Sequence, residues 1–228
     1  MKKTRRSRVA ASIGAILATI LLIAGCSTSP DSNDSPEEPG ASESSLLPAA
    51  EGKTTYPLTL ESPYGETVLE ERPERVAAIV PNAIDTELLL SLGVTPVLTS
   101  NFVSEGGYLE EHGSAELDTY EFMMGEDIPI EAIAASNPDL IVTVGWVPGY
   151  GELRDYYQQL SKIAPVVTSP ESSQRIIPWQ DSIRVLGETL DLSGAAEAVI
   201  AEHDELFAQV RADHPEFDGL TAVSYTHL

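Results

Sequence analysis

The chain has 228 residues and a formal net charge of −23, from 13 Lys and Arg against 36 Asp and Glu. So acidic a chain is a poor partner for nucleic acid or for an anionic membrane surface, because both are themselves negatively charged. Its single cysteine leaves no disulfide to form within the chain.

The first 25 residues have the pattern of an export signal. Five positive charges fall among the first eight residues, and an apolar run of about sixteen residues follows from Val9 to Ala24. This run is shorter than the roughly 20 apolar residues of a spanning helix, so the pattern predicts a signal peptide, 1–25, that is removed. Its end, Ile23-Ala24-Gly25-Cys26, resembles the bacterial lipobox, which implies cleavage before Cys26 and lipidation of that thiol. The alternative is an ordinary signal peptide that happens to stop at a cysteine.

A polar segment, 26–55, follows and is expected to be a disordered tether. It is rich in Ser, Asp, Glu, Pro and Gly, so it cannot bury enough apolar surface to offset its ordering entropy. Two or more acyl chains give a stable anchor, and the chain is therefore expected at the extracytoplasmic face of the cell membrane. Loss of the signal removes five of the 13 Lys and Arg and no acid, which leaves −28. That charge suits a cationic or neutral ligand, or serves only as an acidic, soluble surface.

Helices and apolar strands alternate along the remaining chain, whose length of about 170 residues allows a domain with its own core. A Pro/Gly turn at 62–66 predicts a β-hairpin. Beyond it the pattern predicts strands at 76–80, 96–99, 140–144 and 166–167, and helices at 85–92, 130–135, 151–162, 177–190 and 195–212. This alternation predicts an α/β fold on a parallel sheet, whose ligands bind at the carboxyl ends of the strands.

Loops that follow the strands supply the candidate ligand-binding residues, which are Asn82, Phe102, Tyr108, Trp146 and Tyr150. Aromatic faces with a few hydrogen-bonding groups suit a large or ringed ligand such as a metal chelate. Ligand contact is favoured for Trp146 because it lies in a Gly/Pro loop where nothing needs burying. Packing over the sheet edge is the alternative for Trp146, and it is equally open for Phe102 and Tyr108.

The residue pattern does not support catalysis. The four histidines are far apart and show neither H-E-x-x-H nor a Cys/His spacing, so no metal site is expected. Glycines at 145, 149 and 151 do not have the G-x-G-x-x-G spacing of a dinucleotide site. There is also no G-x-S-x-G elbow, no S-x-x-K and no reactive cysteine. We therefore expect no enzyme activity, no cofactor and no directly bound metal.

Four stretches in order resemble one known family. They are Arg72-Pro73-Glu74-Arg75-Val76, the run from Asp85 to Val97, the run from Ile130 to Ile141, and the run from Leu160 to Val167. Together, behind a lipobox, they resemble the substrate-binding lipoproteins of ABC importers for iron–siderophores, haem and vitamin B12. That resemblance implies two α/β lobes joined by one long, stiff helix, with the ligand held between the lobes.

The resemblance also implies domain boundaries. It assigns 56–192 to an N-terminal ligand-binding lobe, 193–213 to the connecting helix and 214–228 to the start of a second lobe that is otherwise missing. The chain would then be truncated at its C-terminus. We expect the last seven residues, 222–228, to be a translated sequencing-adapter end, which the coding DNA would decide.

By the same resemblance, the expected function is capture of a ferric siderophore and delivery to an ABC permease of the FecCD-like type. Glu131 matches the place of a surface glutamate that docks on arginines of the permease, although one more solvated carboxylate is the alternative. The expected partners are thus a small-molecule metal chelate, the permease and the membrane through the lipid anchor, and the protein should be a monomer. A haem or cobalamin binder of the same family is the alternative, and a lipid-anchored enzyme is the competing class.

Overall fold

The structure is a computed structural model that describes residues 45–103, 117–123, 125–147, 152–169 and 178–221. Its strands are β1 (Leu58–Ser62), β2 (Gly65–Leu69), β3 (Val76–Ala78), β4 (Thr99–Ser100), β5 (Thr119–Tyr120), β6 (Leu140–Thr143) and β7 (Val166–Thr168). Its α-helices are α1 (Ile84–Ser91), α2 (Ile130–Ala135), α3 (Leu153–Leu160), α4 (Trp179–Thr189) and α5 (Ser193–Asp213). Short 3₁₀ turns follow β4 and α5, at Asn101–Val103 and Pro215–Phe217.

Three parallel strands in the order β3-β6-β7 form the centre of the described part. Every residue of these strands is buried, as is usual for parallel strands covered on both faces, which read as continuous apolar runs. Backbone hydrogen bonds from Ala78 to Leu98 and from Val97 to Val76 place β4 beside β3, and β4 pairs in turn with β5. The predicted α/β fold on a parallel sheet is confirmed.

Helices pack on both faces of this sheet. Successive side chains of a strand point to opposite sides, so the apolar strands present an apolar surface on each face. Leu140 and Val142 of β6 lie in one core with residues of α1, α4 and α5. Ile141, between them, lies in a second core with residues of α2 and α3. The hairpin of β1 and β2 closes one flank of the sheet, where the Thr67 hydroxyl donates to the carbonyl of Val166 (2.8 Å).

The two C-terminal helices form a tight pair. Gly187 of α4 lies so close to α5 that a Cβ there would be 2.7 Å from the Cβ of Ala196. Beyond this contact α5 continues for 21 residues in all, a length of about 31 Å. Its far half carries Leu206, Phe207 and Val210, which are 58%, 50% and 44% exposed. The long helix expected at 195–212 is thus present, and it extends past the rest of the core.

Residues 45–55, which the sequence assigned to the tether, pack on the lobe in the structure. The Asp191 carboxylate accepts hydrogen bonds from the backbone N–H groups of 52–54 at 2.7–2.8 Å. Glu51 likewise accepts from the N–H groups of Gly194 and Ala195 at the start of α5, and Leu47 is buried. Apart from Leu47, these are polar contacts between distant parts of the chain, so a low apolar content does not reveal them.

Within the described ranges, no helix is both long enough and apolar enough to cross a bilayer. The same ranges contain no group of three or more His, Cys, Asp or Glu that could hold a metal ion.

Candidate functional site

The loops after β3, β4 and β6 meet at the carboxyl edge of the sheet, which is the expected ligand side. Asn82 connects them. Its side-chain amide donates to the carbonyl of Gly145 in the β6 loop, and its own carbonyl accepts from the hydroxyl of Ser100 on β4, both at 3.4 Å. Its side-chain oxygen also accepts from the N–H of Ile84 (2.9 Å) at the start of α1. The structure therefore uses Asn82 to join three loops, and ligand contact by this residue stays a prediction.

Phe102 presents an aromatic face at this edge. It is 48% exposed and lies against Phe122, with the ring centroids 6.2 Å apart. Phe122 is buried, and the Asn101 side-chain oxygen accepts a hydrogen bond from its N–H (3.2 Å). A supported but open ring of this kind can stack on a flat or ringed ligand. The sequence did not single out Phe122, which lies in the acidic stretch 101–127, where the pattern predicts neither a strand nor a helix.

Trp146 follows β6 at the same edge but is only 4% exposed. Its ring lies 5.6 Å from that of Tyr156 on α3, and the Tyr156 hydroxyl donates to Asp127 (2.6 Å). That hydrogen bond to a carboxylate, with burial, raises the pKa of Tyr156 to about 12. The burial of Trp146 fits the packing role that the sequence left open, and ligand contact by Trp146 stays a prediction.

A buried carboxylate lies directly beneath these loops. Asp85, in the first turn of α1, is 1% exposed, and its Oδ1 accepts the N–H of Gly145 at 2.7 Å. Burial raises the pKa of Asp85 to about 7, although the Gly145 hydrogen bond acts in the opposite direction. A Cβ on Gly145 would lie 2.8 Å from Oδ1 of Asp85, so only glycine lets the loop approach so closely. The sequence placed Asp85 at a helix start and gave no sign of this contact.

Glu131 is exposed, in the first turn of α2. The other end of α2 lies at the amino edge of the sheet, where the Arg75 side chain, just before β3, donates to the carbonyls of Ser136 and Asn137. Glu131 therefore lies at the end of α2 that points toward the carboxyl edge. Three other predicted residues, Cys26, Tyr108 and Tyr150, lie outside the described residues.

A separate groove of about 490 Å³ lies beside the joint of α4 and α5 and is lined by Lys53, Thr54, Thr55, Leu58, Arg184, Glu188, Ser193 and Glu197. Its cations already have partners, because Lys53 pairs with Glu51 and Arg184 with Glu197, both at 2.8 Å. The Arg72 side chain, which precedes β3, donates to the carbonyl of Leu190 at this joint (2.8 Å). The groove therefore lies near the amino end of β3 and not at the ligand edge of the sheet.

The sequence profile of the periplasmic binding protein family matches residues 80–227. The Fe(3+)-citrate-binding protein YfmC of Bacillus subtilis is 23% identical over 214 residues, which are 94% of this chain and 61% of that protein. The chain also superposes on the iron uptake ABC transporter substrate-binding protein PiaA of Streptococcus pneumoniae TIGR4, with 28% identity and a TM-score of 0.59, covering 71% of this chain and 54% of PiaA. For PiaA in complex with ferrichrome the values are 28%, 0.58, 71% and 54%. The chain thus spans between half and two thirds of the length of these relatives.

Proposed function

Because the chain belongs to the periplasmic binding protein family, we propose that it captures a ferric siderophore outside the cytoplasm and delivers it to the permease of an ABC importer. The observation that carries the ligand class is the carboxyl edge of the sheet, where the exposed ring of Phe102 lies beside loops joined through Asn82. The likeness to PiaA with ferrichrome supports the same class. In this proposal the protein binds and releases its ligand without chemical change.

We place the protein on the membrane through lipid at Cys26, with part of the segment 26–55 as a tether. The packing of residues 45–55 on the lobe leaves about 18 residues between Cys26 and the first described residue, for which a flexible chain has a typical reach of about 25 Å. A protein held at this range stays near its permease. The anchor therefore raises the local concentration of loaded protein at the importer.

The proposal is tested by tryptophan fluorescence titration of the full-length protein, with both lobes of the proposed cleft and without the signal and tether, against ferric siderophores, haem and cobalamin. Trp146 lies at the ligand edge and packs against Tyr156, so a ligand that orders this edge should change its emission. We expect saturable changes with ferric siderophores. Saturation by haem or cobalamin alone would favour the other ligand classes of the resembled family, and no saturation with any ligand would defeat the proposed function.

Replacing Glu131 by alanine should reduce uptake without reducing ligand affinity. Glu131 is exposed on α2, whereas Phe102 and Asn82 lie in loops after β4 and β3. Loss of a docking charge pair should weaken permease binding by about tenfold, or about 1.4 kcal/mol. Uptake of radiolabelled iron measures the effect, with ligand titration as the companion measurement. Glu126→Ala, which removes another exposed carboxylate nearby, is the matched control. Equal uptake by both variants and the parent protein would remove the docking role of Glu131.

A further inference from the structure

The buried carboxylate of Asp85, like the amide of Asn82, connects the start of α1 to the loop after β6. Asp85 is 1% exposed, its Oδ1 accepts the N–H of Gly145 (2.7 Å), and its Oδ2 has no hydrogen-bond partner in the described part of the chain. Residues 144–147 follow β6 and are referred to as loop 144–147. This loop contains Trp146. A buried polar atom without a partner costs free energy, and the cost is much larger when the group is charged.

We propose that Asp85 is a positioning residue for loop 144–147, which holds the loop packed while its carboxyl group is protonated and releases it when the group ionises. The inference rests on the proposed function for its effect on ligand affinity. The geometry gives the physical reason. One oxygen is occupied by Gly145, the other is sealed from water, and an anion there gains solvation only if the loop moves.

The other titratable groups around Asp85 do not offset its charge. Among the described residues, Tyr120 on β5 is the titratable group whose pKa responds to Asp85, and its hydroxyl donates to the carbonyl of Ile79 (2.6 Å). Burial and the neighbouring Asp85 charge raise the pKa of Tyr120, so it stays neutral. On α1 itself, Glu87 also has its pKa raised by burial. No cation among the described residues is a cause of the Asp85 shift.

Burial of the Asp85 carboxyl group makes the folded state less stable as the pH rises. Burial raises the pKa of Asp85 from 3.8 to about 7, so between these values the folded chain holds a proton that the unfolded chain has lost. Stability from Asp85 is therefore complete below the unfolded pKa and is lost as the pH rises through the folded one. Near neutral pH a modest rise in pH should loosen loop 144–147.

The test uses Trp146 as the reporter in the intact protein. Both proteins compared carry Trp179→Phe, because Trp179 is the second tryptophan of this chain and its emission would overlap that of Trp146. One protein keeps Asp85 and the other carries Asp85→Asn, which stays neutral while its side-chain oxygen can still accept from Gly145. Emission is followed from about pH 5.5 to about pH 8.5, a range that brackets the expected pKa.

We expect the Asp85 protein to show a reversible red shift of Trp146 with a midpoint near neutral pH, and Asp85→Asn to keep the low-pH emission throughout. Glu87→Gln in the same background is the matched control and should keep the transition. A transition that persists in Asp85→Asn, or no transition in either protein, would overturn the inference.

A second readout ties this loop to ligand binding. The dissociation constant for one ferric siderophore is measured at both ends of the pH range, with Asp85 and with Asp85→Asn. The ratio of the two constants cancels the titration of the chelate itself, and we expect it to rise several-fold with pH. A flat ratio would refute the effect on affinity. Absence of binding by both proteins at every pH, with the Trp146 transition intact, would instead refute the proposed function.

Discussion

Replacing Gly187 by valine is expected to cost about 3 kcal/mol or more of the free energy of unfolding, because overpacking of a close contact forces backbone shifts. A Cβ at this position would lie 2.7 Å from the Cβ of Ala196 and 3.2 Å from both the carbonyl oxygen of Leu192 and the Cα of Ser193. Two of these neighbours are backbone atoms that cannot rotate away. We expect α4 and α5 to separate and the packing of residues 45–55 on their joint to weaken, as chemical denaturation would show.

Glu188→Val is the matched control for Gly187. It places the same side chain one position along α4, where the surface is exposed, so it should cost only a few tenths of a kcal/mol through the lower helix propensity of valine. The double variant Gly187→Ala with Ala196→Gly should lose less stability than Gly187→Val, since it only moves one methyl group from α5 to α4 across the contact. Equal stability of Gly187→Val and Glu188→Val would contradict a close approach at this joint.

Replacing Ile133 by alanine is expected to cost about 2–5 kcal/mol and to release α2. Ile133 is 0% exposed and is the one buried residue of this six-residue helix. A helix of that length is not stable by itself in water, so its packing holds it in place. We expect faster hydrogen exchange in α2. Because the proposed docking residue Glu131 lies on the same helix, the proposal also predicts reduced uptake.

The control for Ile133 lies on the same helix. Ile130→Ala makes the same substitution at a half-buried position, so a smaller loss of stability is expected. The Phe102 edge is built by other elements, and its ligand affinity should change less than uptake in Ile133→Ala. Similar losses from both isoleucines, or no loss from Ile133, would mean that α2 is not held through this side chain.

The parallel sheet could be predicted from the sequence because its strands are buried on both faces. The apolar run at 140–144 corresponds to β6 (Leu140–Thr143), and the helical spacing at 195–212 corresponds to α5 (Ser193–Asp213). Such patterns depend only on neighbouring residues, and a strand that is buried on both faces requires a nearly continuous apolar run. The strand expected at 96–99 is shorter and later, at Thr99–Ser100. The residues before it pair with β3 through an isolated parallel bridge between Ala77 and Leu98.

Polar contacts between distant residues could not be predicted in the same way. Asp191 accepts the N–H of Gly52 across 139 positions of sequence, and Asp85 accepts that of Gly145 across 60. Nothing in the neighbouring sequence distinguishes these two aspartates from the many solvated acidic residues of the chain. The burial of Trp146 could not be predicted from the sequence for a related reason. Its partner Tyr156 lies on the next helix, and a Gly/Pro loop alone does not indicate which residues cover an aromatic ring.

The most direct test of the proposed function is calorimetric titration of the full-length protein, with both lobes of the proposed cleft, against a ferric siderophore. The same chelate without iron, haem and cobalamin serve as comparisons. The account predicts a dissociation constant at or below about 1 μM, or about −8 kcal/mol, for the ferric complex, and binding weaker by at least about tenfold for the other three. Equal affinity for the iron-free chelate, or tighter binding of haem or cobalamin, would contradict a protein that captures ferric siderophores.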